Sequence, residues 1–144
     1  MNATPRLVNY VPGIQGVTSG GIATVNIPVD RRYHSLRILT TNAAGTLTDP
    51  TTIVSLVELV VNGIVIRTGA PATFVNIAKT YKYTPGTGEL PLFFTEFWRN
   101  ESPRAAEATS WDMAGQQSFV LRLTFLSPAG GVGIQSILAD FDGK

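Results

Sequence analysis

The sequence predicts an all-β sandwich of about eight antiparallel strands with one short helical crossover. Apolar and polar residues alternate at period two through most of the chain, the mark of half-buried strands. The alternating runs are separated by clusters of Gly, Pro, Asn and Asp, and only one stretch carries helical spacing. With 144 residues the chain has the length of one domain, residues 1–144, able to bury a core without a disulfide or a metal.

The first strand is expected over Arg6 to Val11, ending at Pro12-Gly13. The second covers Ile22 to Val29, with Ala23, Val25, Ile27 and Val29 on one face and Pro28 near its end. Asp30-Arg31-Arg32 then turns into Tyr33 to Thr41. Strict alternation puts Tyr33, Ser35, Arg37, Leu39 and Thr41 on one face of that strand and His34, Leu36, Ile38 and Thr40 on the other. Ile53 to Val61 is nearly all apolar and is followed by Asn62-Gly63 and Ile64 to Arg67. An Asn-Gly pair between β-branched runs predicts a two-residue hairpin, because both residues accept the positive φ of a type I′ turn.

The helical stretch is Pro71 to Tyr81. Pro71 suits a first turn, and Phe74, Ile77, Ala78 and Tyr81 recur at three- and four-residue spacing. After the turn cluster 84–88, Leu90 to Phe97 resumes as a strand that Pro91 confines to an edge. A long loop is expected from Trp98 to about Gly115. Phe119 to Leu126 alternates cleanly, with Phe119, Leu121, Leu123 and Phe125 inward, and Ile134 to Phe141 forms the last strand. Eight strands is the strand count of a jelly roll.

Composition narrows function by exclusion. There are 11 Lys and Arg against 10 Asp and Glu, a net charge of +1, and no cysteine, so neither a basic nucleic-acid surface nor a thiolate metal site is indicated. Charged residues make up 15% of the chain, below the roughly 25% of ordinary domains. A surface so poor in charge suits burial against neighbours. Met1 to Gly13 lacks the apolar core of a signal peptide, and no run reaches membrane-spanning length, so direct membrane insertion is not expected.

Few residues suggest chemistry. His34 is the lone histidine and lies mid-strand, where a structural role is the expected one. Asp140 and Asp142 share a strand face and are a conceivable calcium pair, although solvated or neighbour-paired acids are the simpler reading. Glu96 with Glu101 or Glu107 offers the two carboxylates that glycoside hydrolysis requires, at a separation the sequence does not define. The glycines of 13–16 and 20–21 lack the lysine and following helix of a phosphate loop. No catalytic residue, cofactor or metal is assigned.

Several stretches carry a resemblance: Asn9-Tyr10-Val11-Pro12-Gly13, Val25 to Val29 with Arg31-Arg32-Tyr33-His34, Val61-Asn62-Gly63, Gly88 to Phe94, and Ala108 to Asp112. Together they resemble the N-terminal domain of major capsid proteins of tailless, membrane-containing icosahedral phages of the corticovirus type, over nearly the whole chain. The resemblance implies a viral jelly roll located in the virion, with upright strands, paired with a second jelly roll and assembled as pseudo-hexagonal trimers. It also implies partners that are copies of itself or that second domain, whereas the family's chains run to roughly twice this length.

On this reading Trp98 and Trp111 pack the core or subunit contacts, and Arg31, Arg32, Arg99 and Arg104 form the rim of an interface. The alternative function is a carbohydrate-binding β-sandwich in which Trp98 and Trp111 stack on sugar faces beside Arg99, Asn100 and Asp112. A hydrolase using Glu96 is the third.

Overall fold

The computed structural model describes residues 6–94 and 110–142. Nine strands and two helices occur among them: β1 (Arg6–Tyr10), β2 (Ile22–Asn26), β3 (Arg32–Thr41), α1 (Pro50–Ile53), β4 (Val54–Val61), β5 (Ile64–Gly69), α2 (Pro71–Thr80), β6 (Glu89–Phe93), β7 (Trp111–Asp112), β8 (Phe119–Phe125) and β9 (Gly133–Asp142). The strands form two antiparallel sheets. One has the order β1-β9-β3-β6, with β7 also paired to β3, and the other has the order β2-β8-β4-β5. These are the two four-stranded sheets of a jelly roll, with the two-residue β7 added.

The sheets face each other across a continuous apolar core. Ala23 and Val25 of β2, Val57 and Leu59 of β4, and Phe119, Leu121, Leu123 and Phe125 of β8 meet Tyr33, Leu36 and Ile38 of β3, Leu90 and Leu92 of β6, and Ile137, Ala139 and Phe141 of β9. The alternation expected for β8 is observed in full: Val120, Arg122 and Thr124 lie half-buried on its other side. Tyr33 sits at the crossing of both sheets, edge-on to Phe119 at 5.5 Å and to Phe141 at 6.0 Å.

The Asn62-Gly63 hairpin joins β4 to β5 as expected, with φ of 53° and 79°. Pro91 lies in β6, at an edge of its sheet. Three expectations are corrected. Strict alternation in β3 fails because the register slips at His34, between Tyr33↔Phe141 and Ser35↔Asp140. This bulge reverses the phase, and Tyr33 joins Leu36 and Ile38 in the core. The helix buries Pro71, Phe74 and Ala78, while Ile77 and Tyr81 stay more than two-fifths exposed, because α2 packs chiefly over β6 and the end of β4. The presumed start of the fourth strand is a separate helical turn, α1, which Asp49 caps by accepting from Thr51 N at 3.0 Å, with Pro50 in its first turn.

Boundaries shift elsewhere: β2 stops at Asn26, and β6 at Phe93. The expected residues 95–97 of that strand, and 98–109 of the long loop, lie outside the described residues. β7 occupies the loop's far end.

Leu121→Ala is expected to destabilise the protein by about 2–5 kcal/mol, since its side chain is fully enclosed and the sandwich cannot collapse onto the cavity. Val120→Ala, one residue along on the outer side, should cost less than half as much; urea denaturation of both variants measures the difference.

Candidate subunit-contact site

Of the residues singled out in the sequence, Arg31, Arg32 and Trp111 lie together at one end of the β3 sheet. Asp30-Arg31-Arg32 delivers the chain into β3, and the pairing of β7 with Arg32 and Tyr33 brings Trp111 alongside. Arg31 lies over the Phe141 ring at 4.3 Å and pairs with Asp30 at 3.3 Å. Arg32 donates from Nε to Asp142 Oδ2 at 2.5 Å, and its Nη2 also contacts that oxygen. Each arginine leaves about a third of its side chain exposed.

His34 lies behind them. Its Nε2 is 2.6 Å from Asp142 Oδ1, so one carboxylate receives N–H groups from two residues of β3. Burial pushes the Asp142 carboxyl up, but the hydrogen bonds from His34 and Arg32, and their charges, outweigh it and hold it below the ordinary carboxylate range. The His34 side chain is fully enclosed, which bars a substrate from the imidazole. It is a structural histidine, and Asp142 is a neighbour-paired acid. No group of three or more His, Cys, Asp or Glu able to hold a metal occurs among the described residues.

Trp111 stacks on Phe94 with centroids 4.4 Å apart and a 15° interplanar angle. Arg67 of β5 holds its guanidinium 4.6 Å from the Trp111 ring centre and donates to Phe93 O at 3.0 Å. Burial lowers the Arg67 pKa. Trp111 packs against the core as one of the two readings the sequence left open, core or subunit contact, whereas nothing in its own stretch distinguishes Arg67 from any strand arginine. Trp98, Arg99 and Arg104, like Glu96, Asn100, Glu101 and Glu107, lie outside the described residues.

Apolar side chains are exposed at two sheet edges. Leu7, Val8 and Tyr10 stand open on β1, and Ile64, Val65 and Ile66 on β5, with no lysine within either strand. These strands belong to different sheets. Among the described residues these edges offer apolar contact surface.

The family model for the viral coat protein P2 N-terminal domain matches residues 8–136. The chain belongs to that family. A search of curated proteins finds no match. Among solved structures, the major capsid protein P2 from bacteriophage PM2 superposes with a TM-score of 0.83 at 14% identity, covering 97% of this chain and 52% of that one. The STIV MCP superposes with a TM-score of 0.54 at 12% identity, covering 97% of this chain and 48% of the other. The chain therefore spans about half the length of the capsid proteins it matches, and its jelly-roll fold is theirs.

Tyr33 supplies a pH signature of the intact site. Its hydroxyl donates to Pro28 O at 2.6 Å, and burial first of all pushes the phenol up to about 12. A phenol raised in the folded state contributes stability fully below pH 10, and this contribution is lost as pH rises towards 12. Ultraviolet titration should show one of the 4 tyrosines ionising near pH 12, a step absent from Tyr33→Phe.

Proposed function

We propose that this chain is a single jelly-roll building block of a viral major capsid protein and works by contact with its neighbours in the virion shell. The observation that carries the reading is the family match over residues 8–136, on a chain whose two sheets run β1-β9-β3-β6 and β2-β8-β4-β5. A sandwich with 15% charged residues and unblunted apolar edges supports it, since such surfaces are costly to leave in water.

The partners are copies of this chain or a second jelly-roll domain, arranged as trimers of icosahedral, pseudo-hexagonal outline. Their contacts draw on the exposed parts of Arg31 and Arg32, on Trp98, Arg99 and Arg104 and the Trp111 cap, with the apolar edges of β1 and β5 adding area. The protein acts without catalysis or cofactor, and without direct contact with nucleic acid or lipid.

Light scattering over a concentration series tests this. A trimer or a larger closed species is expected, and Val8→Lys with Val65→Lys should shift it towards monomer by placing a charge on each edge. A chain that stays monomeric at every concentration, alone and mixed with the second half of a P2-type capsid protein, would overturn the reading.

A further inference from the structure

We propose that Arg32, Asp142 and His34 form a charge latch that closes the outer edge of the β1-β9-β3-β6 sheet, and that this latch opens in acid. The inference stands on geometry and is independent of how the protein assembles.

β1 is an edge strand whose one strand neighbour is β9. Its position therefore depends on where the end of β9 is held. At that end the main-chain ladder is interrupted: Tyr33 pairs with Phe141, Ser35 with Asp140, and the bulged His34 with neither. Asp142 pairs backward to Arg6 of β1 and has no partner residue on β3. What ties Asp142 to β3 is its side chain, through Oδ1 to His34 Nε2 and Oδ2 to Arg32 Nε. The bulge that breaks the ladder is also what turns the His34 imidazole towards the carboxylate. Side-chain charge thus supplements backbone pairing at the bulge nearest the end of β9.

The charges around Asp142 fit this role. Arg32 and His34 face it from β3, Arg6 stands opposite it in the β1 register, and Asp140 lies two residues away on its own strand. Asp112 of β7 is opposite Arg32, and Asp30 and Arg31 precede β3 in the chain. Protonation turns an anion that accepts from two residues into a neutral acid, with Arg32 still charged beside it. Because the folded carboxyl titrates below its ordinary range, the contribution is complete above the unfolded value of about 4 and is lost as pH falls through the folded one.

Hydrogen exchange by mass spectrometry on the 144-residue chain, normalised to intrinsic exchange at each pH, tests the latch. Between pH 7 and pH 2, protection of residues 6–10 and 136–142 should fall severalfold while that of 119–125 persists, since the carboxyl binds its proton more readily once the sheet edge opens. Asp142→Asn should show the low β1 protection already at pH 7, with no further fall in acid. Arg32→Gln, at the more exposed partner, should show part of that loss and guards against a variant that fails to fold. Protection of β1 that ignores both pH and these substitutions would overturn the proposal, as would β1 and β8 losing protection in step.

Discussion

The sandwich depends on the insertion of its last strand between its first and its third. β9 hydrogen-bonds to β1 on one side and to β3 on the other, so β1 cannot join β3 and β6 in that sheet until residues 133–142 are in place. None of the main pairings in that sheet joins strands consecutive in sequence, and in the other sheet only β4-β5 does. Loop closure over most of the chain must precede these contacts, a cost that predicts slow, cooperative folding with the β4-β5 hairpin as its most local element. The buried side chains reflect this constraint: Phe141 and Ala139 of β9 meet a core built by strands up to 130 residues away, and Tyr33 touches both Phe141 and Phe119.

That topology explains what was legible in the sequence. The strands themselves were visible, because each has to present one apolar face and alternation records it; β8 is the clearest case, and Asn62-Gly63 marked the one local pairing. The order of the strands was not legible from periodicity, since long-range pairing leaves no local trace. It came from the resemblance to a capsid family. The β3 bulge was invisible for a related reason: nothing within Arg32-Tyr33-His34-Ser35 marks the slip, which places His34 opposite a carboxylate 108 residues later. The site was legible only as residue types. Asp142 reads as a solvated or neighbour-paired acid, but that its neighbours are Arg32 and His34 leaves no local trace, and Arg67 became visible only when β5 and β7 brought it to Trp111.

Charge in this protein is scarce and is spent at structural joints. Arg122 pairs with Glu58 across β8 and β4 at 3.3 Å, and Glu89 accepts from the Tyr83 hydroxyl at 2.5 Å beside the turn into β6. Arg67 bridges one sheet's edge strand to the aromatic stack beside the other. With so many charged groups tied down, little is left to keep the sheet edges in water, and β1 and β5 present valine, leucine and isoleucine where a free monomer would carry lysine.

The match to bacteriophage PM2 P2 at 14% identity follows from the same economy. A jelly-roll core asks only that inward positions be apolar and of suitable total volume, so most identities drift while the alternation and the strand order persist. A TM-score of 0.83 at that identity shows the same fold carried by largely different side chains. The one histidine of the chain is fully enclosed beside Arg32 and Asp142, at the bulge where the β3 register slips.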